Sequence, residues 1–314
     1  MAHITDRFCK SQWGVFTHYL GIKDCTTAEE WNAKVNSFDV KKLAEQLKYV
    51  GARYYFITIM QGGRWMLGPN DTYNKITGFK PGEACSERDL VAEIIEELDK
   101  HGIDTYLYYT GDGPHLDEVA GRAMGMYEGD MLKENPMYNM HPVTEEFVKN
   151  WTAVLEEYAV RYGEGVKGWW FDGMYDVLGY HQELIDYYKR AVKKGNPNAI
   201  CAFNNGVKGG NEMNWGHGDF ITGEAVSYEY IPTGRFRIGG QQHLLVTLGF
   251  NPETGKGDWW RKGSMCSKEY LRAFMNRAKR DSSVITYDIW IDNDGSFDPE
   301  QMEYLRYMEF GEEK

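Results

Sequence analysis

Asp172 ends a short run, Val166-Lys167-Gly168-Trp169-Trp170-Phe171, that is otherwise almost wholly apolar, and Gly173-Met174-Tyr175 follows it. A buried strand of a parallel barrel is continuously apolar, and its C-terminal end opens onto the face where chemistry occurs. A carboxylate at such an end, between Trp170 and Tyr175, has the chemistry of a nucleophile that attacks a sugar carbon. The aromatic faces would pack on the sugar's C–H surface. The plainer reading is that Asp172 caps a helix after a core strand.

A double-displacement reaction needs a second carboxyl about 5 Å away, with its pKa raised by burial or by its neighbour. Glu224, in Asp219-Phe220-Ile221-Thr222-Gly223-Glu224, is the first candidate and Glu229 the second. Either is equally readable as a solvated loop acid. Other strand-end positions add His18, Gln61, Tyr108 with Tyr109, Asn204 with Asn205, and Asp288 with Trp290, while His243 stands at a strand start. Of these, His18, Gln61, Tyr109, Asn204, His243 and Trp290, together with Trp170, are the candidate substrate-binding residues. This mixture of carboxylates, amides and aromatics suits sugar hydroxyls and not phosphates. Trp259-Trp260 reads either as a sugar platform or as an anchor for the following helix.

The elements that must position these residues alternate from end to end. Strand-like runs occupy Trp13–Tyr19, Arg53–Ile59, Asp104–Tyr109, Gly168–Phe171, Ile200–Asn204, Asp219–Thr222, His243–Leu248 and Val284–Trp290. Amphipathic stretches lie between them: Asp39–Val50 puts Val40, Leu43, Leu47 and Val50 on one face, and Glu87–His101 does so with Leu90, Ile94, Ile95 and Leu98. Val143–Tyr162, Gln182–Lys194, Lys268–Arg280 and Pro299–Met308 follow, the last started by Asp298 as N-cap with proline in the first turn. Eight strands with intervening helices or long loops predict an α/β fold, a (β/α)8 TIM-like barrel forming a single catalytic domain over residues 1–314 with no C-terminal β-sandwich. The 200–262 region is the weakest part of the pattern, because its helices are not evident.

Composition narrows the function classes. A formal charge of −12 opposes binding to nucleic-acid backbones, and the 15 % aromatic content, with 10 Trp and 22 Tyr, suits a carbohydrate partner. Five scattered Cys form neither a disulfide framework nor a zinc motif. No cofactor is expected: the eight His lack HxH or HExxH spacing, and GxSxG, P-loop and GxGxxG motifs are missing. No segment has the apolar length to span a membrane, so no membrane partner is expected. The N-terminus lacks the apolar stretch of a signal peptide. A cytoplasmic location fits a full-length chain, and a periplasmic or secreted one fits a chain whose signal has been removed.

On these motifs the chain resembles the catalytic barrel of the family 29 glycoside hydrolases, the α-L-fucosidases. Trp13-Gly14-Val15-Phe16-Thr17-His18-Tyr19 is similar to the family's first strand, which carries a substrate-binding His. Phe38-Asp39-Val40-Lys41-Lys42-Leu43-Ala44, Gly51-Ala52-Arg53-Tyr54 and Tyr106-Leu107-Tyr108-Tyr109 resemble the elements that follow. Trp170-Phe171-Asp172-Gly173 resembles the nucleophile strand, and Gly218-Asp219-Phe220-Ile221-Thr222-Gly223-Glu224 resembles a Gly-Asp-Tyr-x-Thr-Pro-Glu stretch. The resemblance implies a retaining hydrolase of fucose or a related sugar, with Asp172 as nucleophile and no metal or organic cofactor. Two places depart from it. A His-His pair that reads sugar hydroxyls in the family is replaced by Met60-Gln61-Gly62. A Trp-Glu found in some members at strand seven, whose Glu is the acid/base, reads Gln242-His243. The alternatives are a carbohydrate-binding barrel without activity, and a sugar lyase or isomerase with His243 as base.

Overall fold

Seven runs of almost uninterrupted burial and one half-buried pair of residues become parallel strands, because a strand covered on both faces can carry apolar side chains at every position. In the computed structural model, which describes residues 2–126, 143–206 and 215–312, they are β1 (Trp13–Thr17), β2 (Tyr54–Thr58), β3 (Asp104–Thr110), β4 (Val166–Asp172), β5 (Ile200–Phe203), β6 (Glu224–Ala225), β7 (His243–Thr247) and β8 (Val284–Ile289). They form one sheet in the order β5-β4-β3-β2-β1-β8-β7-β6, every neighbour parallel. The sheet curls into a (β/α)8-like arrangement. Where its two edges meet, Asp219, ahead of β6, donates its N–H to the Cys201 carbonyl of β5 at 2.7 Å, and its carboxylate accepts the Cys201 N–H at 2.9 Å.

Side chains alternate across the curled sheet. Phe16, Tyr54, Phe56, Tyr106, Tyr108, Trp170, Ala202 and Leu245 fill the inside, and Tyr55, Leu107, Tyr109, Trp169 and Phe171 pack outward under the helices. Helix α1 (Asp6–Ser11) lies at the floor. Its Phe8 is wholly buried against Tyr54, Tyr106, Phe220 and His243, with ring centroids 4.9–5.4 Å apart. Arg7 fixes this helix by a two-pronged contact with Asp104, its Nε 2.6 Å from Oδ2.

The outer helices are α2 (Ala28–Ser37), α3 (Val40–Val50), α4 (Asp71–Thr77), α5 (Leu90–Asp99), α6 (Glu118–Ala123), α7 (Glu145–Tyr162), α8 (Gln182–Gly195), α9 (Lys268–Arg280) and α10 (Pro299–Phe310). Asp298 caps α10 with Pro299 in its first turn, as its sequence predicts. Among the described residues none is long and apolar enough to cross a membrane.

Two differences from the sequence expectation fall in the 200–262 region. The sixth strand is not Asp219–Thr222 but the two residues Glu224–Ala225, because Gly223 turns the chain through a positive φ of 62°. Before that turn, pairing is reduced to an isolated bridge between Phe220 and Gln241. Between β5 and α9 the described residues contain no helix. Two small hairpins, Phe236–Arg237 with Gly240–Gln241 and Phe250–Asn251 with Lys256–Gly257, make the connections instead.

Truncating a buried Phe in a close-packed floor removes both transfer energy and neighbours. The Phe8→Ala variant should lose about 3–5 kcal/mol of stability. Urea unfolding followed by far-UV circular dichroism measures this, and an unchanged midpoint would show that α1 contributes nothing to the sheet it covers.

Candidate active site

The last residue of β4 carries its carboxylate to the open end of the curled sheet. Parallel register places Tyr108 of β3 beside Trp170 of β4. The two rings stack at 5.5 Å and 17°. From that position Tyr108 donates its hydroxyl to Asp172 Oδ2 at 2.6 Å. Asn204 follows β5 and extends the ladder, its N–H bonding the Phe171 carbonyl at 2.8 Å. Its side-chain Nδ2 donates to Asp172 Oδ1 at 2.8 Å and to Glu224 Oε2 at 2.7 Å. Both amide hydrogens are thereby used. The reversed amide would turn a carbonyl toward two carboxyl groups, so the network itself assigns the orientation. Two oxygens bound to one nitrogen at these distances lie no more than 5.5 Å apart.

Electrostatics separate the two acids. Burial, and next the charge of Asp172, push Glu224 up to about 7 against the lowering effect of the Asn204 hydrogen bond. Burial also raises Asp172, opposed by the Tyr108 hydroxyl, with the nearby Asp112 charge raising it further. The pair titrates together. Asp172 accepts two hydrogen bonds and Glu224 one, so the shared proton rests on Glu224 and the charge on Asp172.

The acids sit in a cleft of about 420 Å³ whose walls include His18, Gln61, His115, Trp170, Trp259 and Trp260. His18, just past β1, holds Nδ1 2.8 Å from Asp288 Oδ1. A carboxylate can only accept, so Nδ1 carries the hydrogen. The other Asp288 oxygen accepts the Trp260 N–H at 3.1 Å and so fixes a residue whose φ is +56°. Trp259 meets the His18 ring edge-on at 6.1 Å. The two adjacent tryptophans are therefore cleft walls.

Asp172, Glu224, His18, Gln61, Trp170 and Asn204 come together as the sequence suggests. Four others do not. Tyr109 faces outward, stacked on Trp151 at 4.7 Å with its hydroxyl on the Trp151 carbonyl; the inward residue is Tyr108, one position earlier. His243 begins its strand and therefore lies in the floor, fully buried between the Ile221 and Thr222 carbonyls and the Thr286 hydroxyl, 2.7 Å from Nε2. Burial pushes it down to about 4, so it is a neutral structural ring and no base for the cleft. Trp290 lies behind Trp260, ring centroids 6.3 Å apart, and bonds Asp292 at 2.8 Å. Glu229 is exposed and outside the cleft. The choice between Tyr108 and Tyr109 rests on the register of β3 against β4, which the sequence does not encode locally, and Asp112 and His115 carry no local signal either.

The α-L-fucosidase family model matches residues 2–237. A bacterial fucosidase solved with a monovalent iminocyclitol inhibitor is 16 % identical with a TM-score of 0.66, the alignment covering 98 % of this chain and 74 % of that one. An α-L-fucosidase of glycoside hydrolase family 29 from Bacteroides thetaiotaomicron has the same identity and TM-score, covering 98 % and 73 %. An endo-fucoidan hydrolase of family 107 is 15 % identical with a TM-score of 0.71, covering 96 % and 63 %. No curated protein sequence gives a significant match.

A carboxyl whose pKa rises on folding favours the folded state while protonated, and that advantage is lost as pH climbs through the folded value. Glu224 moves from 4.5 to about 7. Wild type should therefore lose stability over this window relative to Glu224→Gln, by up to about 3 kcal/mol. Urea unfolding at either end of the window tests it, and parallel pH profiles would mean that Glu224 titrates as an ordinary carboxyl.

Proposed function

Because the chain belongs to the α-L-fucosidase family and is thus a glycoside hydrolase, we propose that it is a retaining exo-hydrolase of fucose or a closely related sugar, with Asp172 as nucleophile and Glu224 as acid/base. The observation that carries this reading is the Asn204 amide shared by both carboxyls. Retaining glycosidases keep their carboxyls about 5–5.5 Å apart, whereas inverting ones leave about 6.5–9.5 Å for a water. The 5.5 Å bound favours the first class.

Asp172 attacks the anomeric carbon while Glu224 gives its proton to the departing glycosidic oxygen. A glycosyl ester on Asp172 results. That ester carries no charge, so one of the two causes that raise Glu224 disappears and its pKa falls. Glu224, now a carboxylate, takes a proton from water as the water attacks the ester carbon. Restoring the Asp172 charge raises Glu224 again and prepares the next cycle. The Tyr108 hydroxyl and the Asn204 amide hold both Asp172 oxygens in place throughout the resting state.

The lyase or isomerase alternative loses its base, because His243 lies in the floor. The binding-only alternative supposes a lost acid, and the hydrogen bond that holds Glu224 beside Asp172 through Asn204 favours catalysis over it. Gln61 stands in the cleft where the resemblance implies a histidine pair, which is why the proposal extends to sugars related to fucose.

Replacing Asp172 by Asn should reduce release of 4-nitrophenol from the aryl α-L-fucoside by at least about a thousandfold. Equal rates for variant and wild type would remove Asp172 from the mechanism. The Glu224→Ala variant should lose about 10²–10⁴ in kcat/KM on poor leaving groups, and on an activated aryl glycoside azide should intercept the glycosyl ester, speed turnover and give a glycosyl azide of retained configuration. The wild-type kcat/KM should fall as pH rises through about 7, and this limb should vanish in Glu224→Ala; a limb that persists would assign the acid elsewhere.

A further inference from the structure

The cleft contains a second Asp–His pair that the mechanism above does not use. His18 is held through Nδ1 by Asp288, which leaves its Nε2 edge for the cleft. His115 is a looser counterpart. Its Nδ1 is buried and lies 3.3 Å from Asp112 Oδ2, an ion-pair contact without hydrogen-bond geometry, while the ring lines the cleft beside Gln61. The His115 side chain is 19 % exposed, and it lines the cleft that holds the two acids.

The loop that carries His115 is firmly held. The Gly111 N–H bonds the Asp172 carbonyl at 2.5 Å, and the Gly111 carbonyl accepts the hydroxyls of Tyr180 at 2.6 Å and Tyr188 at 3.2 Å. Thr110 donates its hydroxyl to the other Asp112 oxygen. Beyond the histidine, the Leu116 N–H bonds the Gly62 carbonyl at 2.8 Å and ties the loop to the residues that present Gln61. Gly173 is required here, since a Cβ on it would come within 2.6 Å of Asp112 Cγ. The pair therefore abuts the residue that follows the nucleophile. A polar ring beside a buried carboxylate, carried on a tied loop and lining a ligand cleft, has the build of a recognition residue.

We propose that His115, positioned by Asp112, reads one hydroxyl of the sugar held at Asp172 and so determines specificity from the wall formed with Gln61. The inference rests on the function proposed above. Burial alone would lower the pKa of His115, but the Asp112 carboxylate more than offsets it and holds the ring above its ordinary value. With the Nδ1 hydrogen toward Asp112, Nε2 accepts from a sugar hydroxyl in the neutral ring and donates to its oxygen in the protonated one.

The test uses the full chain, with His115→Phe keeping the ring volume and His115→Gln keeping a donor. A panel of aryl glycosides first identifies the sugar turned over. Calorimetry then gives the affinities of that free sugar and its mono-deoxy analogues for the three proteins. In wild type, loss of one particular hydroxyl should cost about ten- to a hundred-fold in affinity. His115→Phe should bind the parent sugar as weakly as wild type binds that deoxy analogue, and should no longer distinguish the two. His115→Gln should recover part of the difference. Turnover by wild type together with unaltered discrimination in a folded His115→Phe would overturn this inference alone. No turnover of any glycoside by wild type would overturn the proposed function and this inference with it.

Discussion

A single primary amide lies between two buried carboxyl groups, and the candidate site depends on that contact. An amide nitrogen has two hydrogens at a fixed angle, so each can satisfy one acceptor and neither acceptor can drift from the other. Asn204 gives one to Asp172 and one to Glu224. Both acids sit in surroundings that disfavour charge, and their mutual repulsion adds to the cost of ionising both. The amide and the Tyr108 hydroxyl offset that cost unequally, which is how chemically similar groups acquire different protonation states.

The scaffold answers to that requirement. Strand alternation sends Tyr108 and Trp170 inward as a stacked pair beneath Asp172. Phe8 and His243 close the opposite end, so the interior below the site is filled with buried side chains. A closed floor keeps the local dielectric low, and a low dielectric keeps the acids perturbed. His18 and Trp260 are tied together by the two oxygens of the buried Asp288, so one carboxylate fixes two parts of the cleft wall.

Much of this was legible in the residues. Val166–Asp172 declares a buried strand with a carboxylate at its end, and the apolar repeats of Val40–Val50 and Leu90–Asp99 declare the helices that cover it. What escaped reading depends on direction and long-range pairing. Tyr109 and Tyr108 are adjacent, and only the register with Trp170 decides which one faces the cleft. His243 resembles a site residue by type, but a strand start lies at the wrong end. His115 lies in Gly111-Asp112-Gly113-Pro114-His115, a turn whose path is set by bonds to Gly62, Asp172 and Tyr180 that no local spacing encodes. The helices expected by analogy between β5 and β7 are absent from the described residues, since the Gly-rich segments there supply hairpins instead.

The meeting of β5 and β6 has a mechanical meaning. Every other junction in the sheet is a ladder of backbone bonds, whereas here, among the described residues, Asp219 bonds Cys201 and Asn204 bonds Glu224. Asn204 stands on one side of this seam and Glu224 on the other, so the two acids belong to its opposite lips. Asn204 is then a spacer bar as well as a hydrogen-bond donor, and Asp219 is the hinge pin at the foot of the same seam. The gap between the acids, which under the proposed function would set the stereochemistry of cleavage, is a property of that joint and not of either acid.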